Sequence, residues 1–131
     1  MSRENVEVMR NFNAAFRRGD MDAVAVNIDP HILIRADARW PEQRIYGREA
    51  ALAWYRELWE SGGTDLRNEE VMDLGDRVLV RWCWHIRGLR SGAEGEQRGS
   101  VICTLREGRV ILEEFFLEHE QALKAAGLAD G

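Results

Sequence analysis

The spacing of apolar residues changes partway along the chain, from every third or fourth position to every second, and the switch predicts helices first and strands afterwards. Val6, Met9, Phe12 and Phe16 share one helical face, with Ser2 as N-cap and Gly19 as a glycine stop. Asp20 caps a second, short helix that turns Met21, Val24 and Ile28 inward before Asp29-Pro30 forbids its continuation. His31 to Arg35 is rich in β-branched residues and predicts a first strand, followed by an irregular crossing loop, Asp37 to Tyr46, that holds Trp40-Pro41. After Gly47 a third helix gathers Ala51, Leu52, Tyr55, Leu58 and Trp59 into an apolar stripe, leaves Arg48, Glu49, Arg56, Glu57 and Glu60 to solvent, and ends at Ser61-Gly62-Gly63.

From Thr64 onward the period is two, and turn signals at Gly75-Asp76, Ser91-Gly92 and Glu107-Gly108 divide the segment into a meander of four strands. Glu118 to Gly127 follows as a short helix or tail. In the third strand of the chain Val78, Val80, Trp82, Trp84 and Ile86 face one way, opposite Leu79, Arg81, Cys83, His85 and Arg87. A three-residue turn around Gly75 sets Leu74 against Val78 and Met72 against Val80, which brings Asn68 and Glu70 to the side of Trp82 and Trp84. A two-residue loop at Glu107-Gly108 pairs Arg106 with Arg109 and sorts Val101, Cys103, Leu105, Val110, Leu112 and Phe116 onto a core face. Glu114 then falls on that same face, opposite Val101. An ionised, unpaired carboxylate there costs several kcal/mol, so the position asks for a reason.

The chain has 131 residues, enough for one core, so residues 1–131 are expected to form a single α+β domain. Charged residues are 31% of the composition and no apolar run approaches a membrane span, which predicts a soluble protein with no membrane partner. The start, Met1-Ser2-Arg3-Glu4-Asn5, lacks the pattern of a secretory signal, so a cytoplasmic location is expected. Eighteen basic and 23 acidic residues are interspersed, for a net charge of -5, which argues against nucleic acid as partner. Cys83 and Cys103 have neither zinc nor disulfide spacing and read as core residues; His31, His85 and His119 lie on separate elements. Neither a metal nor a cofactor is expected.

Several phrases carry a resemblance. Glu4-Asn5-Val6-Glu7, Arg18-Gly19-Asp20-Met21-Asp22-Ala23, Gly47-Arg48-Glu49-Ala50, Gly75-Asp76-Arg77-Val78, Thr104-Leu105-Arg106-Glu107-Gly108-Arg109-Val110 and Ala122-Leu123-Lys124-Ala125-Ala126-Gly127-Leu128 occur in the order helix, helix, strand, helix, four strands. Together they resemble the SnoaL-like branch of the NTF2-like superfamily over nearly the whole chain. The resemblance implies a cone in which a curved antiparallel sheet wraps around three helices from the N-terminal half, usually as a homodimer. Relatives include ketosteroid isomerase, polyketide cyclases, dehydratases and epoxide hydrolases, so the fold alone does not assign chemistry. In the cyclases a histidine on the fourth strand and an acid on the fifth occupy the pocket. The positions that look equivalent here are Val101 and Glu114, so the histidine is absent, and the first-strand acid is displaced to Asp37.

Glu114 and Asp37 are thus the candidate proton carriers, because a desolvated carboxyl group titrates closer to neutrality and exchanges protons with a bound carbonyl compound. Tyr55, Trp59, Trp82 and Trp84 are candidate pocket walls, Asn68, Val101 and Phe116 complete the expected lining, and Trp40 is a candidate lid. The expected ligand is a small hydrophobic molecule, with proton transfer of the isomerase or cyclase type as the reaction. The alternative is a non-catalytic binding or regulatory module, or a dimeric accessory protein, whose interior is packed by Trp82 and Trp84. Ile102, Ile111, Phe115 and Leu117 read as an outer sheet face apolar enough to join two copies.

Overall fold

A computed structural model describes residues 2–37, 44–60, 66–87 and 94–128. Trp40 and the expected turns at 61–63 and 91–92 lie outside the described residues. The first helix, α1 (Ser2–Arg17), buries Met9, Phe12, Ala15 and Phe16, the face its spacing predicts. It stops where Gly19 takes a left-handed φ of 72° and its N–H bonds the Phe16 carbonyl at 2.9 Å. Helix α2 (Met21–Val26) starts on Asp20, whose side chain accepts from the Ala23 N–H. It ends at Asn27, before Ile28, because β1 (Ile28–Arg35) already begins there and carries Asp29-Pro30 within it, at a break in its pairing register. A short β2 (Arg44–Tyr46) follows, a strand within the segment expected to be loop, and leads into α3 (Arg48–Glu60).

The remaining strands are β3 (Leu66–Asp73), β4 (Arg77–Arg87), β5 (Glu94–Arg106) and β6 (Arg109–Phe116), and α4 (His119–Ala125) closes the described chain. The sheet runs β2-β1-β6-β5-β4-β3. It is mixed where an antiparallel sheet was expected, because β1 lies parallel to β6 while every other pair is antiparallel. Helices α1, α2 and α3 pack on one face of this curved, unclosed sheet and form the main core with Val78, Val80, Trp82, Val101, Cys103, Leu105 and Val110. The NTF2-like α+β cone is therefore the fold.

Two registers differ from expectation. The Gly75-Asp76 turn has two residues, with the Leu74 N–H on the Arg77 carbonyl, so Glu70 pairs with Arg81. A β-bulge at Glu69 then shifts the ladder and returns Asn68 to the side of the indoles, opposite Trp82 where the expected register set it opposite Trp84, while Glu70 forms an ion pair with Arg81 at 3.7 Å instead of joining the indoles. The second bulge lies in β6. Glu107 and Gly108 form the two-residue loop, with φ of 54° and 77°, and Leu105 pairs with Val110; beyond Ile111 the count slips by one, so Thr104 meets Leu112, Cys103 meets Glu113 and Ile102 meets Glu114.

That one residue reverses the faces of the rest of β6. Phe115 and Leu117 join the main core, while Phe116 packs on the opposite face with Leu79, Ile102, Ala122 and Ala126, beneath α4. The expected outer group of Ile102, Ile111, Phe115 and Leu117 is thus not one face. Ser100 and His119, with Oγ and Nδ1 2.7 Å apart, fasten the start of α4, and an Arg77 guanidinium bonds the Ala126 carbonyl at its end. No helix among the described residues is long and apolar enough to cross a membrane.

Candidate functional site

A cavity of about 390 Å³ opens between α1, α3 and the inner face of the sheet. Its helical wall is aromatic. Tyr55 meets Phe12 edge-on at 5.4 Å between ring centres, and Trp54 meets Phe115 at 5.5 Å, so α1, α3 and β6 are joined by rings. Its sheet wall holds Trp82 and Trp84 on β4, Asn68 on β3, Val101 on β5 and Glu113 on β6.

Glu113 is only 2% exposed, and lies between Ile34 on β1 and Cys103 on β5. The Cys103 Sγ is 4.0 Å from one carboxyl oxygen, and the other oxygen has no hydrogen-bond partner. Burial without a compensating charge pushes the Glu113 carboxyl up to about 8, and pushes the Cys103 thiol up to about 12. At neutral pH Glu113 is mostly a neutral acid, and Cys103 is a thiol. Three more buried side-chain atoms lack a partner, Asn13 Oδ1, Tyr55 OH and Trp82 Nε1, and all three residues line the same cavity. An unmet polar group in such a place costs about 1–3 kcal/mol. The cavity wall therefore concentrates the unsatisfied polar groups of the described residues.

The sequence-derived site residues divide. Tyr55, Asn68, Trp82, Trp84 and Val101 come together around the cavity. Glu114 does not: the bulge turns it to the other face, where its side chain, 26% exposed, pairs with Arg35 at 3.7 Å. Asp37 is buried, but its carboxylate accepts the Leu117 N–H at 2.9 Å, and with Arg35 and Glu114 it borders a separate depression beside α4. Phe116 is carried away by the same reversal as Glu114. Trp59 does not line the cavity; it lies on Gly19, where a Cβ would come within 2.6 Å of the indole, and its Nε1 donates to the Arg17 carbonyl. It locks α3 to the end of α1. Sequence reasoning missed Glu113, Asn13 and Trp54. For Glu113 the signal was present, an acid in an apolar strand, but it was given to the neighbouring acid. No group of three or more His, Cys, Asp or Glu side chains among the described residues could hold a metal ion.

An α+β cone with an aromatic cavity between its helices and its sheet defines a small-molecule-binding architecture. The SnoaL-like domain family matches residues 9–113, most of the chain, and the protein belongs to that family. It is 26% identical to an NTF2-like protein of unknown function from Mesorhizobium loti, with 88% of this chain and 91% of that one covered and a TM-score of 0.73. A structure assigned as a SnoaL-like polyketide cyclase from Jannaschia sp. CCS1 is 22% identical, covers 100% of this chain and 96% of its own, and has a TM-score of 0.74. Another assigned as a polyketide cyclase, from Xanthomonas campestris pv. campestris, is 15% identical, with 95% and 98% covered and a TM-score of 0.71. At 15% and 22% identity the likeness is one of fold. No curated protein matches the sequence.

Proposed function

We propose that the cavity binds a small hydrophobic molecule and that Glu113 moves a proton on it, in a reaction of the isomerase or cyclase type. One observation carries this reading: a carboxyl group 2% exposed, with one oxygen unpartnered, in the wall of an apolar cavity. A carboxyl group that titrates near 8 holds its proton at neutral pH yet releases it cheaply, which suits a shuttle. As carboxylate, Glu113 takes a proton from the carbon beside a ligand carbonyl, and as acid it returns that proton to another atom of the same ligand. The protein ends as it began. Glu113 replaces Glu114 in the role expected for an inward acid, and Asp37 has no part in it.

Deuterium exchange beside the carbonyl of 1-tetralone, followed by NMR, tests the proposal. Wild-type protein is expected to accelerate exchange, with a rate that rises with pH and levels off above about 8, as the carboxylate form accumulates. Glu113→Gln should lower that rate at least about 100-fold while still binding the ketone. Equal exchange by both proteins would remove Glu113 from the chemistry.

A second reading, binding without turnover, is favoured by the described lining, which offers no histidine, lysine or arginine to work beside Glu113. Retained binding with no exchange in wild-type protein would select it. Homodimerisation belongs to the proposal too, through the part of the outer sheet face that α4 leaves open, where Leu112 is half-buried. Sedimentation at micromolar concentration reads it, and a monomer there rejects it.

A further inference from the structure

Of the four unpartnered atoms around the cavity, three are chemically ambiguous. A tyrosine hydroxyl donates or accepts, a carboxyl oxygen does either according to its proton, and an asparagine exchanges its oxygen and nitrogen by a flip. The indole N–H of Trp82 only donates. Trp82 is 5% exposed, lines the cavity, and its Nε1 has no partner.

Its position is also imposed. Trp82 on β4 pairs with Gly99 on β5, and the benzene edge of the indole lies directly on that glycine. A Cβ at residue 99 would overlap Trp82 Cζ2 and stand 2.8 Å from the Phe116 carbonyl oxygen. The second contact is backbone and does not yield. Any side chain at 99 therefore moves the indole off its seat. The absence of a side chain there is what holds the ring against the sheet and leaves the cavity its depth.

The charge of the wall narrows the occupant further. Glu57 and Glu113 line the cavity, and no lysine, arginine or histidine does so among the described residues. An anion finds no positive charge among the described lining residues to offset its desolvation, and it shares the cavity with the Glu57 carboxylate. A cation leaves the Trp82 N–H, which can only donate, unmatched. We propose that Trp82, seated on Gly99, is the specificity-determining residue of the cavity: it limits depth and selects uncharged ring compounds that offer a hydrogen-bond acceptor to its N–H. Gly99 is its positioning residue. The inference rests on the cavity being a binding site, as proposed above, and not on any turnover by Glu113.

Two uncharged probes of the same bicyclic shape separate these claims: 1-tetralone, which has a carbonyl, and tetralin, which does not. Dissociation constants are measured by calorimetry on the intact protein at pH 7, with 1-naphthoate as an anionic third probe. Wild-type protein is expected to prefer 1-tetralone over tetralin about tenfold, and to bind 1-naphthoate at least about tenfold more weakly than the ketone. Trp82→Phe keeps a ring and removes the donor, so the preference should fall to within about twofold with tetralin affinity little changed. Gly99→Ala should weaken both uncharged probes by displacing the indole. A ketone preference that survives Trp82→Phe overturns the assignment, as does tight binding of 1-naphthoate. Unchanged affinities in Gly99→Ala remove the positioning role, and if that variant does not fold, Trp82→Phe decides alone. Wild-type protein that binds neither uncharged probe overturns the binding reading itself; binding both equally leaves that reading standing and rejects this one.

Discussion

Glu113 couples its proton to folding, because the native state holds that proton more tightly than the unfolded chain does. Its folded value of about 8 lies above the ordinary 4.5. Between those values the native protein binds more protons than the unfolded one, so stability falls as pH rises. The contribution is fully present below pH 4.5, is lost progressively up to about 8, and is flat above. Its full size is on the order of 5 kcal/mol at most. Urea unfolding of wild-type and Glu113→Gln protein between pH 5 and about 9 should show a downward slope only in the wild type. A wild-type slope that persists in the variant would assign the effect to another group. At this scale the residue type was legible and its number was not: two adjacent glutamates face opposite sides of a strand, and one slipped pair exchanges them.

That slip belongs to the element. Alternation along β4 and β5 alone places Val78, Val80, Trp82, Val101, Cys103 and Leu105 inward, as the structure does, since both strands run regularly against each other. Bulges interrupt β3 at Glu69 and β6 at Ile111, and neither residue announces it, because a bulge answers to the curvature of the whole sheet. The turn itself was readable. Glu107-Gly108 has left-handed φ at both positions, the geometry of a type I′ hairpin, and glutamate is a poor resident of that region. Glu107→Asn should therefore stabilise the protein by about 0.5–1 kcal/mol, measured as a raised urea midpoint with an unchanged slope. A lowered midpoint would mean that the Glu107 side chain contributes more than its backbone costs.

At the scale of the molecule the sheet separates two cores of unequal size, and the cavity belongs to the larger one. Helix α4 covers the smaller, where Ala122 and Ile102 are 0% and 1% exposed. Ala122→Asp should place a charge under α4, undock it and cost about 2–4 kcal/mol. Because the cavity lies on the opposite face, 1-tetralone affinity should stay within about twofold of wild type under conditions where the variant is folded. A large loss of affinity would show that the two faces are coupled through β5 and β6.

The spacing of apolar residues by itself determined the helices, the meander and the inner faces of β4 and β5, because each depends on neighbours a few residues away, and the order of short phrases such as Arg18-Gly19-Asp20-Met21-Asp22-Ala23 carried the family likeness. Only the tertiary structure decided the parallel pairing of β1 with β6, the burial of Ile102 beneath α4, and which of two adjacent acids enters the cavity. Those outcomes depend on contacts between distant segments and on a curved sheet that accommodates one extra residue in a strand, and local periodicity carries no record of either.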